Sequence, residues 1–170
     1  ACGTGQLSFP LSPYVRLWEA TDAAPAMIQE AKKRIGSSRL HFSVQDAAHL
    51  PYAPESFDAV VIAAPFHTHA YFAMRALKAG KHVMCEKPMA KTYAEAKEMV
   101  ETAKETGKIL TIGYQNRYRP DSQYLKRACA NGDLGDIYYA KAHAIRRRAV
   151  PTWGVFIDEE KQGGGPLIDI

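Results

Sequence analysis

Between residues 15 and 112, short apolar runs take turns with apolar positions at helical spacing, the pattern of strands alternating with helices. The short runs predict strands over Val15 to Thr21, Leu40 to Val44, Ala59 to Ala63, His82 to Cys85 and Ile109 to Ile112. The first helix opens at Pro25, puts Met27, Ile28, Ala31 and Ile35 on one face, and carries Lys32, Lys33 and Arg34 in its last turn before Gly36. A second helix repeats Ala70, Ala73, Met74 and Leu77 on one face and stops at Gly80. A third starts at a capping box, Thr92 with Glu95, buries Ala96, Met99, Val100 and Ala103, and stops at Gly107. Parallel strands need a crossover that these helices supply, so the fold class is α/β with a doubly wound, mainly parallel sheet.

The pattern changes after Gly113. A helix around Ser122 to Ala130 leads through two glycine turns into Ile137 to Ile145, where Ala140, Ala142 and Ala144 alternate with Lys141 and His143. That alternation predicts one long strand, the start of a second α+β subdomain over residues 113–170. Pro166, after three glycines, is suited to open a helix that the chain barely begins.

Composition fits one soluble domain with a real core: 170 residues, 46% hydrophobic and 24% charged. No apolar run approaches the roughly 20 residues that span a bilayer, so no membrane partner is expected. A net charge of +4 is too small and dispersed for a nucleic-acid partner, although Arg146, Arg147 and Arg148 cluster. Cys2, Cys85 and Cys129 are odd in number and far apart, which predicts reduced thiols and a cytoplasmic protein.

Candidate chemistry begins at Ala1-Cys2-Gly3-Thr4-Gly5, where Gly3 and Gly5 let the backbone approach a nucleotide. Asp22 at the end of the next strand is placed to accept ribose hydroxyls, and Asp46 ends the strand after that. With Leu50-Pro51-Tyr52 and Ser56-Phe57-Asp58, these motifs make residues 1–58 resemble class I S-adenosylmethionine-dependent methyltransferases. The resemblance implies that Gly3 and Gly5 hold the methionine part of the cofactor, Asp22 its ribose and Asp46 its adenine.

From Ala59 the motifs differ. Ala63-Ala64-Pro65-Phe66-His67-Thr68-His69, His82-Val83-Met84-Cys85-Glu86-Lys87-Pro88, Gly113-Tyr114-Gln115-Asn116-Arg117 and Gly163-Gly164-Gly165-Pro166-Leu167-Ile168-Asp169 resemble the Gfo/Idh/MocA oxidoreductases. That resemblance implies a Rossmann-like domain over 1–112, NAD or NADP as cofactor, and a sugar, polyol or related alcohol as small-molecule substrate. It implies that Ala64, Pro65 and His69 lie along the nicotinamide ribose, that Glu86 belongs to the cofactor site, and that Lys87 is catalytic or contacts the substrate. Independently, Pro88 disfavours the helical conformation at Lys87, and the lysine follows an apolar strand at the carboxyl end of the sheet, where open α/β sheets bind ligands. Asp169 matches an aspartate one helical turn before a catalytic histidine, which would be residue 173, beyond Ile170. Arg146 to Arg148 and Trp153-Gly154 match the substrate-covering part of one branch.

The two resemblances meet near residue 58, so the expectation is a chimeric or truncated chain. Its functional classes are an incomplete oxidoreductase, a methyltransferase-type cofactor binder, or a non-catalytic fragment. The strand that should precede Ala1 would be central. Its absence predicts that the strands at Val15 and Ala59 face a gap or pair directly, with exposed edges open to homo-oligomer formation.

Overall fold

The computed structural model describes residues 2–34, 36–143, 145 and 158–163. After the turn at Gly3 to Gly5, a one-turn helix α1 (Ser8–Leu11) and a 3-10 turn (Ser12–Tyr14) lead to β1 (Trp18–Asp22). Then follow α2 (Pro25–Lys32), β2 (Leu40–Val44), β3 (Ala59–Ile62), α3 (His69–Lys78), β4 (His82–Cys85), α4 (Tyr93–Thr106) and β5 (Leu110–Ile112). The tail carries α5 (Pro120–Ala130) and the short α6 (Glu159–Gln162).

All strand pairs are parallel, as the crossover helices require, but among the described residues they form two sheets. β1 pairs with β2 and β4 lies between β3 and β5. β1 and β3 do not pair among the described residues, so direct pairing is not the outcome found. The flank of β1 that faces away from β2 is met by the amino-terminal loop, whose Cys2 amide donates to the Thr21 carbonyl at 2.8 Å.

Strand boundaries follow partners. Val15 stays outside β1 because its partner strand begins only at Leu40, opposite Trp18. The Arg39 guanidinium holds the preceding chain in its turn by donating to the Pro13 and Val15 carbonyls. The capping box forms as expected: Glu95 N–H donates to Thr92 Oγ1 at 3.2 Å, and Thr92 N–H to Glu95 Oε2 at 3.0 Å. Gly107 ends α4 at φ +64°, a left-handed conformation that glycine adopts without strain.

The main core joins Ile62, Ala70, Ala73, Leu77, Val83, Cys85, Ala90 and Met99 between α3, α4 and the three-stranded sheet. In the amino-terminal unit Ala20, Ile28, Ala31 and Leu40 are buried, whereas Met27 is exposed, contrary to its expected place on the core face. Ile35 lies outside the described residues.

The strand expected over Ile137 to Ile145 is not found among the described residues there, which have no regular structure. Tyr138 is 98% exposed, and no described strand lies alongside to complete a ladder. Alternation alone cannot hold an extended segment without a neighbour. Arg146 to Arg148, Trp153, Pro166 and Asp169 lie outside the described residues. Cys2, Cys85 and Cys129 are free thiols. No helix among the described residues is long and apolar enough to cross a membrane.

Candidate functional site

Two groups of candidate residues form at the carboxyl ends of the strands. In the first, Asp22 is 7% exposed and its carboxylate accepts one backbone hydrogen bond on each oxygen. Gly3 N–H donates to Oδ2 and Ala24 N–H to Oδ1, each at 2.9 Å. Asp22 thus fastens the glycine turn to the end of β1, and a carboxylate with about four acceptor sites keeps about two for a ligand.

The glycines divide their roles. Gly3 has φ +54° and nothing within 4 Å of where a Cβ would stand, so its backbone can be approached from outside. Gly5 has φ +78°, but a Cβ there would lie 2.8 Å from Phe42 and 2.9 Å from Phe9. Its missing side chain makes room for the protein's own aromatic pair, which corrects the expectation that it opens toward a cofactor. Asp46 is exposed beyond β2, accepting from Ala48 N–H at 2.9 Å and lying 3.3 Å from His49 Nδ1. The Ala48 hydrogen bond, then His49, holds its carboxyl below the usual range.

The second group sits on the loops after β3 and β4. Ile62 is opposite Cys85 in the ladder, and the Glu86 amide extends it by donating to the Ile62 carbonyl at 2.8 Å. Residues 63–65 and 86–88 therefore leave the sheet side by side. Glu86 Oε2 accepts from the Lys87 amide at 3.2 Å, and the same carboxylate packs against Gly113, where a Cβ would be only 3.0 Å away. Lys87 is half-buried on this loop. The Pro65 carbonyl accepts from Thr68 N–H at 2.9 Å and from Thr68 Oγ1 at 2.7 Å, closing the turn that enters α3.

His69, the first residue of α3, departs from its expected role. It is 1% exposed, with Nδ1 2.8 Å from the Pro88 carbonyl oxygen and Nε2 2.9 Å from that of Ala64. Both nitrogens face backbone, so the ring has no polar atom left for a cofactor ribose. Sequence reasoning missed this bridge, although His69 shares a helical face with Ala70, Ala73 and Leu77, a stripe that marks burial. Gly113 was likewise seen only as part of a motif, and it is the close approach that admits the Glu86 carboxylate. Among the described residues the two groups share no hydrogen bond. A shallow groove of about 520 Å³ between α4 and β5, lined by Met89, Val100 and Leu110 among others, holds none of the candidate residues.

Residues 8–114 match the model of an oxidoreductase family with an NAD-binding Rossmann fold, Gfo/Idh/MocA. The D-glucoside 3-dehydrogenase of Escherichia coli (strain K12) is 49% identical over 113 residues, 66% of this chain and 32% of that protein. The chain spans about a third of the length of the curated relatives it matches. Among solved structures, the WlbA dehydrogenase from Bordetella pertussis in complex with NADH and UDP-GlcNAcA is 34% identical with a TM-score of 0.57, covering 72% of this chain and 34% of that one. Scyllo-inositol dehydrogenase from Lactobacillus casei, with bound NAD(H) and scyllo-inositol, is 27% identical with a TM-score of 0.58, over 71% of this chain and 34% of that one. The fold is Rossmann-like, as expected. The expected change of family near residue 58 is corrected: the match runs through that point without a break, and nothing in the comparisons supports a methyltransferase-like segment, a chimera or S-adenosylmethionine. The strand-end acids that prompted that reading occur in any nucleotide-binding βαβ unit, which is why motif spacing alone misled.

Proposed function

Because the chain belongs to the Gfo/Idh/MocA oxidoreductases, a family with an NAD-binding Rossmann fold, we propose that it is the cofactor-binding part of a dehydrogenase for a sugar, polyol or related alcohol, using NAD or NADP. The observation that carries this reading is the side-by-side exit of Ala64-Pro65 and Glu86-Lys87-Pro88 from adjacent parallel strands. Relatives named for a glucoside and an inositol support the substrate class. Residues 1–112 then form the nucleotide-binding domain and residues 113–170 open the substrate domain.

The residues present suit a dinucleotide. Gly3 offers an open backbone position and Asp22 keeps acceptor sites for ribose hydroxyls. A bound nicotinamide supplies the hydride acceptor. Lys87 is the chain's partner for the substrate hydroxyl, holding or taking its proton as the carbon is oxidised. Glu86 steadies that lysine through its backbone amide. Asp169 takes the role of a second polar group at the reacting centre, an assignment resting on the motif alone.

Titration of the chain with NADH and NADPH, followed by nucleotide fluorescence, tests the reading. Saturable binding is expected, weakened at least tenfold by Asp22→Ala, since a charge-assisted hydrogen bond is worth roughly 1.5 to 3 kcal/mol. Tighter binding of S-adenosylmethionine than of either nicotinamide nucleotide would overturn it.

A further inference from the structure

The two loops that carry the candidate cofactor and catalytic residues are joined by one side chain. His69 stands at the start of α3, on the stripe with Ala70, Ala73 and Leu77 that packs onto the three-stranded sheet, so its backbone is fixed by the core. From there the ring reaches the Ala64 carbonyl after β3 and the Pro88 carbonyl after β4, at 2.9 and 2.8 Å. Both partners are carbonyl oxygens, which only accept. The ring faces one of them with each nitrogen, and with 1% exposure there is little room for water to take over either contact. The ionisable groups along the same loops are His67, Glu86, Lys87 and Lys91.

We propose that His69 is a positioning residue whose ring, seated between the Ala64 and Pro88 carbonyls, ties the loop after β3 to the loop after β4 and thereby sets Lys87 at a fixed place relative to the Ala64-Pro65 segment. The clip itself stands on geometry; its consequence for nucleotide binding rests on the dehydrogenase reading. Among the described residues neither loop has a ladder partner past the first residue after its strand, and the ring is a direct hydrogen-bonding link between them. The gain is preorganisation, because positions held before a ligand arrives need not be ordered when it binds.

The test uses the full chain, isotopically labelled. Hydrogen exchange reads the loops. His69→Phe keeps the ring's bulk without its polar atoms and should speed amide exchange in residues 64–68 and 86–91 about fivefold to tenfold each, the value of one lost hydrogen bond per loop. His69→Asn places an amide nitrogen near Nδ1 and should slow residues 86–91 again. His69→Gln does the same near Nε2 and should slow residues 64–68. Unchanged exchange in His69→Phe, or no recovery in either amide variant, would overturn the clip. If His69→Phe does not fold, the contrast between His69→Asn and His69→Gln decides: each should protect one loop and loosen the other, and equal exchange in both loops would overturn the clip. NADH titration separates the two claims: loosened loops with weaker NADH binding support both, whereas loosened loops in a protein that never bound NADH support the clip and remove the dehydrogenase reading.

Discussion

Leu77, Met99, Val83 and Cys85 in the β3–β5 unit are each at most 2% exposed, while in the β1–β2 unit Met27 is 40% exposed and Val44 48%. Both units follow the same strand-then-helix pattern. The difference is geometric: three strands under two helices that also pack on each other enclose a core, whereas two strands under α2 cover one narrow face. It teaches where rigidity lies. The loops bearing Ala64 and Lys87 rise from the well-packed unit, and those bearing Gly3, Asp22 and Asp46 from the thin one. In this chain the thin unit is held together by polar stitching, with Asp22 tying the glycine turn to β1.

The strongest way to break that comparison is to empty each core in turn. Leu77→Ala should cost about 3 to 4 kcal/mol in chemical denaturation, and Ile28→Ala about 2 kcal/mol, because a partly open site relaxes around a lost side chain more easily. Equal costs would mean one shared core. Asp22→Ala, besides weakening nucleotide binding, leaves the Gly3 and Ala24 amides without their acceptor and should cost about 2 to 3 kcal/mol. Hydrogen exchange in that variant should rise at residues 2–9 and 18–24 and stay unchanged at 82–112; a uniform rise would erase the distinction between the units.

Alkaline pH probes the packed unit by itself. Burial, with the Glu86 carboxylate second, pushes the Cys85 thiol from its ordinary 9.0 up to about 12. The folded chain therefore keeps a proton that the unfolded chain releases, so this contribution is intact below pH 9 and is lost as pH rises toward 12, by at most about 1.4 kcal/mol per pH unit. Cys85→Ala should lose that part of the pH slope relative to wild type. The smallest effect expected is local: Thr92→Ala removes the cap of α4 and should cost about 1 kcal/mol without changing nucleotide affinity. The edge of β3 away from β4 has no strand partner among the described residues, whereas that of β1 is met by the Cys2 amide, and unpaired strand edges template pairing. Size-exclusion chromatography should show mass rising with concentration, and a monomer at all concentrations would mean that the β3 edge is shielded.

The sequence by itself determined the order of strands and helices in residues 15–112, because hydrophobic period, caps and stop signals all agreed there. β2 and β4 fall where their apolar runs do, and Thr92 caps α4 as its spacing with Glu95 requires. It also marked the loops after β3 and β4 as the place for chemistry, since parallel strands leave their carboxyl ends together. What only the tertiary structure decided depends on partners far along the chain. Residues 137–143 alternate like a strand and are none, because a ladder needs a neighbour that alternation does not reveal. Gly5 reads as a cofactor glycine and is filled from the far side by Phe42. His69 reads as a ligand contact and instead spans two backbone carbonyls, 5 and 19 residues away in sequence, brought within reach only when β3 and β4 pair.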